Sequence, residues 1–314
     1  MKKMLNSVHL EGRIYAHDLT VKTVQNEQSK NFGKEFIAGN LEVAVDEDGL
    51  NVIPVHFTYV TETTNSGAKS SQYTALKRIM DENKTWTVVG KDAAQKVSIN
   101  SAIALNDFYN QNDELISAKQ NEGGFITFIN ELKPENERNR FDTDIVITGV
   151  SIVEADEEKD IKEHAVIKGA IFNFRNELLP VEYTILDKDG IKYFEDLGAT
   201  NAEPIFTRVW GNINCITKTT VQTEESAFGE AAVRTYERKV KEWQVTGSPK
   251  TPYDFGDEKI LTAEELRKAV QDREVHLADV KKRAEEYKAQ RASAPAAIQT
   301  AAAATTVAPG GFKF

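Results

Sequence analysis

A mainly β chain of two similar halves, followed by a long α-helix and a flexible tail, is the architecture this sequence predicts, and three observations predict it. First, VIPVHFTYV (Val52–Val60) returns as LLPVEYTIL (Leu178–Leu186), with Pro, Val, an aromatic and Thr in matching places. Second, other landmarks follow in the same order on both sides: Gly12 in NSVHLEGRIYA answers Gly149 in DIVITGVSIVEA, Gly39 in FIAGNLEVAV answers Gly169 in VIKGAIFNF, and Gly90 in WTVVGKDAA answers Gly211 in TRVWGNINC. Their separations shorten steadily along the chain, as expected of a duplication that keeps its strands and trims its loops. Third, the composition changes after Gly247, where a turn-rich GSPKTPYDFGDEK gives way to a helical pattern.

Each half reads as strand, strand, strand, short helix, strand, strand. Apolar residues alternate with polar or small ones at Val8, Leu10 and Ile14, and again at Ile37, Leu41, Val43 and Val45. In the next strand Val55, Phe57 and Tyr59 are expected to fill the core while His56 and Thr58 look outward, and the second copy repeats this with Val181, Tyr183 and Ile185 inward. Helical patterns follow at Tyr73–Lys84 and Gly190–Thr200, and WTVVGKDAA is read as the fourth strand of the first half. Glycines within the strands mark the bulges and tight bends that a small closed barrel needs at its corners. Five strands with a helix after the third is the order of an OB-fold barrel, whereas a pair of sandwich domains would need seven or more strands and no helix. The expected units are residues 1–133 and 141–257 as two tandem five-stranded OB folds, 258–292 as a long α-helix, and 293–314 as an Ala/Thr/Pro-rich tether. The helix opens on a capping box, Thr262 with Glu265, and carries a near-heptad stripe of Leu266, Val270, Leu277, Val280, Ala284 and Tyr287, interrupted at Arg273. A single uneven stripe of this kind belongs to a helix packed on its own domain.

Composition excludes several classes of function. The 314 residues carry a net charge of −10 and are 40% hydrophobic, yet the apolar positions are so interrupted by charges that no run approaches a membrane span of about 20 residues. The start MKKMLNSVHLEG has no apolar stretch of signal-peptide length, so a cytoplasmic location is expected. One cysteine, Cys215, can form neither an internal disulfide nor a zinc cluster, and is expected as a buried thiol on a strand. The five histidines show no metal-binding spacing, and there is no Walker loop, strand-borne GxGxxG or GxSxG elbow. The acidic stretches DEDG (Asp46–Gly49) and EADEEKD (Glu154–Asp160) sit where strands should turn. No catalytic residue, metal or cofactor is expected.

What the pattern does offer is aromatic residues beside cations on outward strand positions, the combination that stacks a base and pairs its phosphate. In the first half these are Arg13, Tyr15, Phe36, His56 and Trp86, with Lys22, Lys30 and Lys34 on the amide-rich loop LTVKTVQNEQSKNFGKEF. In the second, Phe172 and Phe174 are expected to project outward beside Arg175, Arg208 and Trp210 share a strand, and VRTYERKVKEW alternates Arg234, Tyr236 and Arg238 on one side. The first 257 residues hold 29 basic against 41 acidic groups. Binding responds to the local potential within a Debye length of about 8–10 Å, so a basic groove can work on such an acidic body.

LNSVHLEGRI, with Asn6, Val8, Leu10, Gly12, Arg13 and Ile14 at these intervals, resembles the first strand of bacterial and phage single-stranded DNA-binding proteins, and EFIAGNLEVAV is similar to their second. The resemblance spans roughly the first 60 residues and reaches the second half through the internal repeat. It implies a non-catalytic protein that coats single-stranded DNA in replication, recombination or repair. It also implies a C-terminal tip, here Phe312 and Phe314, that docks on replication or recombination proteins; GGFKF departs from the family's acidic tip in carrying Lys313. An assembly of four barrels would make this chain a homodimer, while phage members also act as monomers. The extended loops and divergent tip favour a phage origin, hence a host cytoplasm. The alternative is a phage structural or assembly protein that uses such barrels as interaction modules.

Overall fold

The computed structural model describes residues 4–64, 66–110, 112–156, 161–224, 232–253 and 261–293, and of 217–224, 232–239 and 290–293 the backbone alone. The N-terminal half holds β1 (Asn6–His17), β2 (Thr20–Thr23), β3 (Glu35–Ala44), β4 (Val52–Thr61), α1 (Ser71–Glu82), α2 (Trp86–Val89), β5 (Lys96–Tyr109) and β6 (Leu115–Phe128). A 3-10 turn at Glu135–Glu137 leads into β7 (Asn139–Val153), β8 (His164–Phe172), β9 (Leu178–Ile185), α3 (Lys188–Leu197), β10 (Ile205–Glu224) and β11 (Ala232–Gly247), and the chain continues into α4 (Ala263–Ser293). The architecture is mainly β and OB-like, with one C-terminal helix.

The strand pairings form two closed circuits. In the first, β1 pairs with β3, β3 with β4, β4 in parallel with β6, β6 with β5, and β5 with β1. In the second, β7, β8, β9, β11 and β10 are joined in the same order, again with one parallel closure. Alternation dictates which side chains fill them: Val8, Leu10, Ile14, Ile37, Leu41, Val43, Val55 and Phe57 line the first interior, and Ile145, Ile147, Ile167, Val181, Tyr183 and Trp243 the second, all at most 4% exposed. Each connecting helix is capped as its sequence requires. Ser70 accepts from the Tyr73 amide and Asn83 closes α1 in the left-handed region, while Asp187 accepts from the Gly190 amide and Gly198 ends α3. α1 buries Ala75, Leu76 and Ile79, and α3 buries Ile191 and Phe194.

β1 also pairs with β7, which makes all eleven strands one sheet. The bulges that follow Ile14 and Ile147 mark these as corresponding positions. On that correspondence Val8 matches Phe141, and Val8 pairs directly with Phe141. The two halves therefore meet about a local two-fold axis. Asn51 in the β3–β4 turn reinforces the junction, donating to the Ile213 carbonyl (3.1 Å) and accepting from the Cys215 amide (2.9 Å). Glycine is required where strands cross closely: a Cβ on Gly12 would lie 2.1 Å from the Ala44 carbonyl oxygen, and one on Gly211 would lie 1.9 Å from that of Gln244.

Several sequence expectations are corrected. The matched landmarks are not structural equivalents: strand pairing makes Gly12 correspond to Ile145 rather than Gly149, Val43 rather than Gly39 correspond to Gly169, and Val55 correspond to Tyr183, two residues from the match of VIPVHFTYV with LLPVEYTIL. WTVVGKDAA is not a strand: Trp86–Val89 forms a helical turn, the fourth strand is β5, and Ile99 rather than Gly90 lies in the stretch that answers Val209 and Gly211. Tyr59 is not in the core. Between Phe57, opposite Gly39, and Val60, opposite Ile37, β4 carries one extra residue, so Val60 is buried and Tyr59 turns outward at 45% exposure. Phe172 lies on the outer side of β8 as expected but is not open: it is fully buried, because α4 and its lead-in cover that side with Leu261 and Ala269. The capping box at Thr262 and Glu265 is present, with reciprocal bonds of 3.0 and 3.2 Å. α4, however, reaches beyond its own half: Arg273, where the heptad stripe breaks, holds Asp107 of β5 through two bonds of 2.6 Å.

Candidate nucleic-acid interface

The outer face of β3 and β4 carries an aromatic pair that faces solvent. The bulge in β4 swings Tyr59 toward Phe36, and their rings lie 4.6 Å apart, tilted by 42°. Lys22 on the short strand β2 stands directly opposite Phe36 in register. Lys30 and Lys34 are exposed on the β2–β3 loop, Lys34 bonding Asn31 at 3.1 Å, and Phe32 on the same loop is 53% exposed. The floor between them is polar: His56 meets the Asn40 side chain at 2.9 Å, and Thr58 donates to Glu122. Flat rings, exposed ammonium groups and a row of amide and hydroxyl partners are what an unpaired base and its phosphodiester can use together.

The remaining candidates fall into separate places. Arg13, Tyr15 and Trp86 gather at the opposite end of the β3–β4 hairpin, about 26 Å away at the rise of a strand. There Arg13, Lys91 and Arg138 converge on Glu47 at 3.1, 3.0 and 2.6 Å. Their bonds, Arg138 and Lys91 foremost, hold the Glu47 carboxyl down to about 2. Tyr15 and Trp86 pack at 5.9 Å, with Gly49 against the indole. Arg208 is engaged by both oxygens of Asp142, and Trp210 lies under Gly247 with Arg140 over its ring at 5.8 Å. Phe174 and Arg175 occupy the tip of the β8–β9 hairpin, the ring 71% exposed and the guanidinium 5.1 Å from its centre. Arg234, Tyr236 and Arg238 belong to β11, but their side chains, like the tip residues Phe312 and Phe314, lie outside the described residues.

Sequence reasoning missed Tyr59, Phe32, Arg140 and Lys119. The last comes from β6 of the first half yet lies over the Trp243 and Tyr183 rings of the second, 4.3 and 5.2 Å from their centres, and donates to the Glu182 carbonyl. Burial pushes its ammonium down to about 8, with Glu182 opposing and Lys241 assisting the shift. No periodicity could have shown a lysine of one half seated on the aromatic core of the other. Among the described residues, no group of three or more His, Cys, Asp or Glu side chains could hold a metal ion, and no helix is long and apolar enough to cross a membrane.

An OB-like chain with an outward aromatic pair and surrounding lysines is thus the class that fold and surface define. The chain belongs to the YorF family, whose profile matches residues 5–283. No curated protein sequence matches it. Among solved structures it is similar to a deletion mutant of the single-stranded DNA binding protein from Thermus aquaticus, at 13% identity and a TM-score of 0.46, over 82% of this chain and 100% of that one. It is also similar to a Replication Protein A heterotrimer bound to ssDNA, at 7% identity and a TM-score of 0.23, over 85% of this chain and 69% of that one. Similarity at this level assigns no residue and no ligand here.

Proposed function

We propose that this protein binds single-stranded DNA, without catalysing a reaction, across the β3–β4 face of its first half. The observation that carries the reading is the Phe36–Tyr59 pair, turned out of the core by a bulge and bordered by Lys22, Lys30 and Lys34. A bulge that removes a tyrosine from an apolar interior gives up burial, and stacking of a base restores it. Residues 1–133 and 141–257 act as two units, the first offering its face and the second supporting it. The bound strand is protected as an intermediate of replication or recombination. Anisotropy of a labelled oligo-dT of about 30 nucleotides tests the reading. Saturable binding that weakens with added salt, and that weakens further in Phe36→Ala and Tyr59→Ala, is expected. Equal affinity of wild type and both variants would refute this placement, and no binding at low salt would refute the function.

A further inference from the structure

The second half has a counterpart of the β3–β4 face, and the chain itself covers part of it. Leu41 pairs with Val55 in the first half as Ile167 pairs with Tyr183 in the second, so the outer side of β8 and β9 corresponds to the candidate interface. Over it lies the extended hairpin of β5 and β6. Leu105 is opposite Lys119 and Asp107 opposite Ser117 in that hairpin, so these four share one side of it. Leu105, Ser117 and Lys119 face Lys168, Gly169, Pro180 and Glu182 across a cleft of about 390 Å³.

Polar contacts hold the arm down. Lys119 donates to the Glu182 carbonyl, and Asp107, with only 3% of its side chain exposed, receives both Arg273 nitrogens from α4, the Ser117 hydroxyl at 2.6 Å and His276 at 3.3 Å. Farther out, Lys288 of α4 pairs with Asp113 at the hairpin's end. Apart from Lys119 on the Trp243 and Tyr183 rings and Leu105 against the core, the contacts are polar, and the cleft beneath is incompletely filled, unlike the packing of Phe172 under α4.

We infer that the β5–β6 arm, fastened by α4 through Arg273 and Asp107, is an autoinhibitory latch over a second strand-binding face on β8–β9. This rests on the reading that the first face binds single-stranded DNA. At rest Lys168, Phe174 and Arg175 are already exposed but the arm lies between them and the first half; a long strand that displaces the arm gains the freed Lys119 and an unobstructed path across β8 and β9. Release of the arm alone leaves the apolar cluster around Phe172 intact, so opening does not require unfolding.

The test compares oligo-dT of about 10 and about 40 nucleotides, the shorter matched to one OB-like unit, on the full chain and on Arg273→Ala. The variant is expected to bind the short oligonucleotide as the wild type does, and the long one at least about tenfold more tightly with a larger occluded length, as expected when a partly covered surface becomes available without a conformational cost. Should Arg273→Ala fail to fold by circular dichroism, the milder double variant His276→Ala/Lys288→Ala carries the test in the same direction. A folded variant with unchanged affinity and occluded length for the long strand overturns the latch while leaving the first face standing. Failure of the wild type to bind the short oligonucleotide overturns both.

Discussion

Replacing Lys119 by methionine should change how stability depends on pH. The ammonium is moved from an ordinary value of 10.5 to about 8, first by burial and then by the balance of Glu182 and Lys241. A displacement of about 2.5 pKa units corresponds to about 3 kcal/mol between the charged and neutral forms. The sign follows from proton counting. Between pH 8 and 10.5 the unfolded chain keeps the proton that the folded chain has released, so stability rises with pH across that window and the term is absent above it. By pH 9.5, still below the ordinary range of phenols, about 2 kcal/mol of the gain should be realised. Lys119→Met has no such proton, and its long apolar side chain can lie on the Trp243 and Tyr183 rings. Urea unfolding of both proteins from pH 7 to 9.5 measures the difference, with titrations common to both cancelling. Wild-type stability should climb by about 2 kcal/mol relative to the variant. Parallel curves would show that the ammonium is solvated in the folded chain, and would refute its placement between the rings.

The other predictions concern the faces and their frame. Tyr59→Ala and Phe36→Ala should each weaken oligo-dT binding by about 1–3 kcal/mol with little loss of stability. Phe172→Ala should instead cost about 3–5 kcal/mol of stability, measured by denaturant midpoint, because its ring lies in a dry cluster. Gly211→Ala places a Cβ 1.9 Å from the Gln244 oxygen, so β10 and β11 must separate locally, and a loss of about 1–3 kcal/mol is expected in the same assay. Glu47, held to about 2, contributes stability that is fully present above its ordinary value of 4.5 and lost as pH falls toward 2. Glu47→Gln should therefore flatten the acid limb of a thermal-stability profile.

The sequence made the strands legible because one-sided burial writes period two into them, as at Val8, Leu10 and Ile14, and because capping needs particular side chains, as at Thr262 and Glu265. It failed where two residues' facing depends on a third element. Tyr59 looked like core because the extra residue in β4 leaves no mark in the alternation on either side. Phe172 was correctly placed on the outer side of β8, but burial there is set by a helix that begins about 90 residues later. Trp86 misled because an apolar WTVV run suits either a strand or a helical turn, and the matched glycine beyond it had no common geometry. Of the candidate interface, Phe36, His56 and the loop lysines were read from the pattern, whereas the ring that completes the pair was not. Arg273 shows the reverse case: the break in the helix's apolar stripe was visible, and its reason is a carboxylate 166 residues away in sequence.

The pairing of β1 with β7 places Val8 beside its own duplicate, Phe141. That contact, residue meeting residue about a dyad, is the kind two identical subunits make, but here it lies within one chain. Joined in this way, each copy is free to diverge without forcing the same change on its mate. One copy could keep its outer surface open to solvent while the other gave its surface over to its neighbour's hairpin, a division of labour unavailable to two identical subunits.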